Sequence, residues 1–430
     1  MCTHKYTTCI VGGGPSGMMA AYRCANKNNN VILLEQNEKL GKKLFITGKG
    51  RCNVTNNCDR DEFFSNVVSN SKFLFSSINN FSNKDVIEFF NKNHCKLKVE
   101  RGGRVFPEGD KAFLITDCFK SLLKKEKVDI KLDSKVTKIN LPSEKSSKFT
   151  IEYIDVNNNS KNKVNCDFLV LACGGYTYKS TGSDGFTYSF ARKNDINIID
   201  LDRGLVPLEF IEKDVKKIAN LNLKNVGIKC FCNRKIVYED FGEMTFASYG
   251  AYGPIILSLS SYINSEDLKN NKYVLSIDLK PGLSIDKLDK RLIADFSKYS
   301  KREVKTSFDL LLPKKLIPVF VERLESMGID TNKKASDVSK EDRVKIVSVL
   351  KNFTYTIKCK RSFDEAIITK GGIDVKEINP KTMEVKKFHN LYIVGESLDV
   401  DCLTGGFNIT TAISTGACAG DAIKNLTFTN

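Results

Sequence analysis

The sequence predicts an α/β fold in which one domain is assembled from the two ends of the chain and interrupted by other material in the middle. Three observations predict it. A strand-like run leads directly into the glycine turn Gly12-Gly13-Gly14-Pro15-Ser16-Gly17 near the N-terminus. A second strand, turn and helix, Leu391–Val394, Gly405-Gly406 and Ile409–Lys424, closes the chain. Between about residues 201 and 360 the pattern changes to short β-like runs and then to helices.

Length and composition fit that organisation. At 430 residues the chain is too long for one ordinary domain. With 41% hydrophobic and 27% charged residues it is globular rather than disordered. No apolar run reaches the roughly 20 residues of a membrane-spanning helix. The chain enters a strand within a few residues of its start, so a signal peptide is not expected and a cytoplasmic location is. Fourteen cysteines are scattered without a Cys-x-x-Cys, which predicts reduced thiols. None of the histidines, His4, His94 and His389, lies near the closest pair, Cys230 and Cys232, so no metal site is expected.

The formal charge is +16, and residues 201–360 carry 29 Lys+Arg against 21 Asp+Glu. Such a balance attracts polyanions. The richness in both Lys and Asn offers compositional bias as the alternative source of that charge.

The elements follow in order. Thr7–Val11 reads as a strand, Ser16–Lys27 as a helix and Val31–Leu34 as a buried strand ending in Glu35, which makes a βαβ unit. Lys84–Asn93 and Lys111–Lys127 are helical around the loop Gly102–Pro107. Strand-like runs at Asp129–Ile139 and Lys148–Val156 are followed by a polar turn at 157–163, and Phe168–Cys173 is a short apolar strand ending in Gly174-Gly175. The expected division is 1–200 and 356–430 for the two parts of the nucleotide-binding domain, 201–283 for a β-rich, barrel-like insertion and 284–355 for a small helical one. Gly227–Cys232, Lys235–Tyr238 and Lys272–Leu279 are the β-like runs; Pro313–Met327 and Lys340–Lys351 are helical.

The chemistry sits at the ends. Gly12 permits a tight turn, Gly14 lets backbone approach a pyrophosphate and Gly17 lets the helix pack closely, while the helix N-terminus offers free N–H groups. Separated from Gly17 by seventeen residues, Glu35 is placed to accept hydrogen bonds from ribose hydroxyls. This is a Rossmann-like dinucleotide fingerprint. FAD rather than NAD is indicated by a second strand delivering Gly395-Glu396, where an acid meets ribityl hydroxyls, and by Thr404–Asn408 at the start of the last helix, whose dipole favours negative charge on a reduced ring. Gly371-Gly372 lacks the strand, spacing and acid of a second fingerprint, so NAD(P)H, as reductant, is expected to visit only transiently.

The run Leu40-Gly41-Lys42-Lys43-Leu44-Phe45-Ile46-Thr47-Gly48-Lys49-Gly50-Arg51-Cys52-Asn53-Val54-Thr55-Asn56 closely resembles the signature of a bacterial family of FAD-dependent flavoproteins that includes a ribosomal RNA dihydrouridine synthase and bile-acid 4-ene reductases. Gly103–Pro107, Thr181–Gly185, Leu205–Leu208, Thr369–Gly372 and Gly395–Asp401 are similar to further blocks of that family, across essentially the whole chain. The resemblance implies the interrupted FAD domain and a flavin-dependent reductase. Its substrate is either a uridine in large-subunit (23S) ribosomal RNA or a small molecule, a steroid-like enone or an amine. Departures are Ala247-Ser248 where the family often has Thr-His, Cys402 where glycine is common and Phe407 where tyrosine is.

The expected cofactor-binding set is Gly12, Gly14, Pro15, Ser16, Gly17, Glu35, Gln36, Lys43, Gly50, Arg51, Asn53, Gly174, Gly395, Glu396, Gly406, Phe407 and Asn408. Cys52 and Arg51 are the catalytic candidates. Cys52 is either a proton donor whose pKa the adjacent cation lowers or a small side chain packed under the flavin. Arg51 and Lys49 either meet the flavin or a substrate anion, or are solvated. Asn53 and Asn56 either hydrogen-bond the flavin edge or terminate turns.

Overall fold

The computed structural model describes residues 5–142 and 148–428, which fall into two compact units, Met1–Gly204 with Ala366–Asn430 and Leu205–Glu365. The first unit is built on a five-stranded parallel sheet in the order Leu391–Ile393, Phe168–Leu171, Tyr6–Val11, Asn29–Leu34, Asp129–Lys131. Its strands are short runs of Val, Ile and Leu buried on both faces, as a parallel sheet requires. The chain winds outward to one side of the first strand and then back to the other. Its glycine turn therefore stands beside the point where strand order reverses, the usual ligand position in such sheets.

Two helices lean on each other across the sheet. Pro15–Cys24 packs on Phe407–Phe428 so closely that a Cβ on Gly416 would lie 2.2 Å from the Ser16 carbonyl oxygen. Arg23 clamps the pair with two hydrogen bonds to Asp421, 2.7 and 2.6 Å.

Three smaller sheets complete the unit. Thr55–Asn56, Arg104–Pro107 and Leu97–Val99 form one. Ser134–Asn140, Phe149–Asp155 and Lys161–Cys166 form an antiparallel meander, so the polar stretch expected as a turn at 157–163 is in part a strand. That strand is exposed on most of its length and carries lysines, the composition of a solvated edge. Ile198–Gly204 pairs with Ile368–Ile373, which places Gly371-Gly372 inside a strand, where the sequence offered no strand signal. Both glycines have positive φ, 79° and 132°, and the ladder bulges between Ile199 and Asp202 to fit them.

The second unit is a closed antiparallel barrel of six strands in the order Leu208–Phe210, Gly250–Tyr252, Lys235–Ala247, Asn222–Cys232, Tyr273–Asp278, Phe353–Lys360. Between the last two strands the chain makes the helices Ile285–Lys298, Ile317–Ser326 and Lys340–Lys351. Its apolar cluster, with Phe246, Leu275, Phe320 and Tyr355 fully buried, is separate from that of the first unit. The strand Lys235–Ala247 is far longer than the run read from the sequence, because its exposed face, Glu239 to Glu243, is polar enough to hide the alternation. Among the described residues no helix is long and apolar enough to cross a membrane.

Candidate functional site

Each glycine of the first turn has a distinct steric duty. A Cβ on Gly12, whose φ is 105°, would lie 2.4 Å from the Ala172 carbonyl oxygen, and one on Gly17 only 1.9 Å from that of Gly12. These two let strand, turn and helix close on one another. Gly14 differs: a Cβ there would meet no protein atom within 4 Å. The space in front of the helix is open, a position at which a helix N-terminus can take an anion, with Pro15 pre-set in the first helical turn and Ser16 buried behind it.

Glu35 is fixed at the end of the second strand. Its Oε2 accepts from the Gly13 N–H at 2.7 Å, and its Oε1 from Asn37 through the backbone N–H, 2.9 Å, and Nδ2, 2.6 Å. Burial pushes this carboxyl up from its ordinary range, while those hydrogen bonds pull it down. Three donors on about four acceptor positions leave room for a ribose hydroxyl. Gln36 donates to the Gly182 carbonyl oxygen at 2.9 Å and ties the neighbouring loop to the turn.

A second acid stands across the sheet. Glu396 Oε2 accepts from Lys43 Nζ at 2.7 Å, while its Oε1 accepts from the Thr369 N–H, 2.9 Å, and Thr177 Oγ1, 3.3 Å. Lys43 also donates to Thr177 Oγ1 at 2.8 Å. Gly395, with φ of 74°, makes the bend, and a Cβ there would press on Ser16 Oγ at 2.6 Å. Gly174, also at positive φ, offers its carbonyl oxygen to Ser397 Oγ at 2.8 Å. The fold thus brings the two terminal segments of the chain to one turn, with Ser16 between them.

The glycine-rich loop winds tightly. Gly48, Lys49, Gly50 and Cys52 all have φ between 56° and 86°, a conformation that is strained for Lys49 and Cys52. A Cβ on Gly50 would meet nothing closer than the Phe45 carbonyl oxygen at 3.8 Å. Asn53 Oδ1 accepts from the Val105 N–H at 3.2 Å, and Asn56 Nδ2 donates to the carbonyl oxygens of Gly102 and Gly405. Gly406 is indispensable here, because a Cβ would lie 2.5 Å from Thr55 backbone. Phe407 packs edge-on to Phe63, and Asn408 uses its whole amide to brace both the N–H and the carbonyl of Cys402. Both side chains thus turn to the protein, at the start of a helix whose first backbone N–H groups have no intrahelical acceptor.

One expectation is corrected. Cys52 is fully buried, and burial pushes its thiol up to about 12, against a weaker pull from Thr47. The lowering expected from Arg51 is absent because that guanidinium turns elsewhere. It pairs with Glu100 at 2.8 Å and Asp110 at 3.3 Å and lies 4.0 Å over the Phe106 ring. Sequence reasoning missed Asn37, Thr177 and Thr369. Asn37 was two positions from Glu35, and Thr369 opened a family-like block; nothing local marked Thr177.

The model of the family described as HI0933-like protein Rossmann domain matches residues 6–422. A 3-dehydro-bile acid delta(4,6)-reductase of Clostridium scindens is 29% identical, covering 96% of this chain and 98% of that one. A ribosomal RNA dihydrouridine synthase of Escherichia coli is 27% identical, covering 97% and 98%. Among solved structures, a 3-ketosteroid delta1-dehydrogenase of Sterolibacterium denitrificans superposes with a TM-score of 0.52 at 12% identity, covering 99% of this chain and all of that one; it shares the fold. With a family match over nearly its whole length, the chain belongs to the HI0933-like Rossmann-domain family and is an FAD-dependent oxidoreductase.

Proposed function

We propose that the enzyme saturates a carbon–carbon double bond conjugated to a carbonyl, and that its substrate is a uridine of large-subunit ribosomal RNA, which becomes dihydrouridine. The observation that carries the reaction class is the full-length likeness to a delta(4,6)-reductase and a dihydrouridine synthase, names that both describe hydrogen added to a ring double bond. Their substrates share one piece of chemistry. The 5,6 double bond of uracil and the 4-ene of a 3-keto steroid are both conjugated to a carbonyl, so hydride adds to the far carbon and a proton to the near one. The charge of +16 favours the RNA.

When bound and reduced, FAD would supply the hydride. The chain's own residues hold it: Gly14 gives clearance for the pyrophosphate, Glu35 takes the adenosine ribose, Glu396 with Lys43 takes the ribityl end, and the N–H groups at Phe407 and Asn408 favour negative charge on the reduced ring. NAD(P)H acts as transient reductant. A uridine in a folded RNA must be unpaired or flipped to reach the site. The 29% identical Clostridium scindens reductase supports a second reading, reduction of a steroid-like enone.

The test compares dihydrouridine in ribosomal RNA from a strain lacking the gene and from its parent by mass spectrometry. Loss at one position in the mutant is expected. Unchanged levels at every position, with turnover of a 3-keto-4-ene steroid by the purified enzyme, overturn the RNA reading in favour of the second.

A further inference from the structure

The barrel carries a groove that neither the flavin site nor the fold requires. It has a volume of about 640 Å³ and is lined by Asn225, Phe241, Lys280, Pro281 and Gly282 among others. Phe241 of its lining stands in one cross-strand row with Gly227 and Asp278, the glycine in the middle. A Cβ on Gly227 would make only ordinary contacts, 3.6 Å to Asp278 and 3.8 Å to Pro281, and its backbone is not in the left-handed region. Local sterics therefore do not demand this glycine; its effect is to leave a notch beside an aromatic ring.

The notch combines three chemistries. Phe241 is 59% exposed, an unusual posture for a phenylalanine on a barrel strand. Asn225, in the bulge of the neighbouring strand between Leu223 and Val226, also lines the groove. Lys280 is half-buried, with no carboxylate paired to it among the described residues, and burial together with the charge of Arg291 lowers its pKa. The nearby acids are already engaged. Asp278 is held by Lys351 at 2.5 Å and by the Lys280 N–H at 2.9 Å, and Asp240 takes the Tyr238 hydroxyl and the Phe241 N–H, both at 2.7 Å. Lys351 also donates to the Leu283 carbonyl oxygen at 2.9 Å, which fixes the turn from behind. The groove is therefore preformed, with an uncompensated cation beside an open ring.

We propose that this groove docks unpaired RNA, one base stacking on Phe241, its edge meeting the Asn225 amide and an adjoining phosphate meeting Lys280. An aromatic platform beside a basic group is the general means of holding single strands without demanding a sequence. The inference rests on the RNA reading of the substrate and adds a second point of attachment on the barrel, outside the flavin site.

The test is fluorescence anisotropy of the flavin-loaded, full-length protein with a labelled single-stranded oligouridine, at several salt concentrations. Phe241→Ala is expected to weaken binding by at least roughly fivefold. Lys280→Gln is expected to weaken it and to lower the salt slope by about one. Gly227→Val, which fills the notch beside the ring and leaves both Phe241 and Lys280 in the chain, should weaken it as well; flavin content and melting temperature report that each variant is folded. Wild-type binding that all three variants retain overturns the groove and leaves the RNA reading standing. Equal affinity for a duplex of the same length overturns the docking of unpaired strand. Absence of wild-type binding, together with unchanged dihydrouridine in the deletion strain, overturns both.

Discussion

Gly14 and Gly17 stand three positions apart in one turn and respond in opposite ways to a methyl group. Gly14 has φ of −74° and open space in front of it, so Gly14→Ala should leave the flavin-free protein within about 0.5 kcal/mol of wild-type stability while flavin content falls sharply. Gly17→Ala drives a Cβ into backbone and should cost about 1–3 kcal/mol or more. Urea unfolding of the flavin-free proteins, with absorbance for bound flavin, separates the two. Glu35 gives a pH signature. Its folded pKa is raised, so the native state keeps a proton that the unfolded chain releases, and stability falls as pH climbs from the ordinary carboxyl range through the folded value. Glu35→Gln should remove that decline in the flavin-free protein; parallel curves for the two proteins between pH 4 and 7 would contradict the assignment. The placement of Glu35, Gly395 and Glu396 just past strand ends was legible because glycine spacing and strand ends are local signals. The Lys43–Glu396 pair was not, since its partners are 353 positions apart. Of the two readings of Cys52 the structure agrees with the buried one, because sequence adjacency to Arg51 says nothing about where a guanidinium points.

At the scale of single elements, end signals decide how well a segment can be read. The helix Lys340–Lys351 begins with a full capping box, Ser339 and Asp342 hydrogen-bonding each other's backbone N–H, and it was found with its bounds intact. Against burial, which alone would raise it, hydrogen bonds from Lys333 and Ser339 hold the Asp342 carboxyl down at about 2. The stability this supplies is complete above the unfolded value near ~4 and is lost as pH falls toward 2. Asp342→Asn should therefore cost about 1 kcal/mol at neutral pH and flatten the acid limb of the stability curve, measured by denaturant titration. Strands with one polar face were harder. Lys161–Cys166 alternates weakly and follows a run of Asn, and most of Lys235–Ala247 lacks a buried residue until Met244. Neither offers the period-two signal on which strand recognition depends.

For the molecule as a whole, the barrel unit carries its own closure. Leu208–Phe210 pairs with Phe353–Lys360, and the Arg361 N–H donates to the Pro207 carbonyl oxygen at 3.0 Å, so the ends of the inserted segment lie side by side. Residues 205–365 expressed alone should fold cooperatively, giving dispersed amide resonances and a sharp melt. In the other unit Gly204 is paired with Ile368, and a short Gly/Ser linker in place of 205–365 should preserve flavin binding. A molten spectrum from the first, or a colourless product from the second, would show that the division does not hold. The interrupted α/β plan was legible because both ends of the chain carry strand, glycine turn and helix. The far edge of the insertion was hidden, since Phe353–Lys360 follows the helix Lys340–Lys351 after Asn352 alone, with no turn signal between them.

The clamp of Arg23 on Asp421 has a consequence for biosynthesis. The two residues are 398 positions apart, and the strand Leu391–Ile393 that completes the sheet is made almost as late. At ~5–20 residues per second, the apolar flank of the first helix waits roughly 20–80 s for its partner after leaving the ribosome. The barrel can form in that interval, because all its pairings lie within the inserted stretch. Glu396 and the closing helix are then the last parts of the candidate site to be made. A truncation at the extreme C-terminus would strike the nascent chain's solubility before it struck its chemistry.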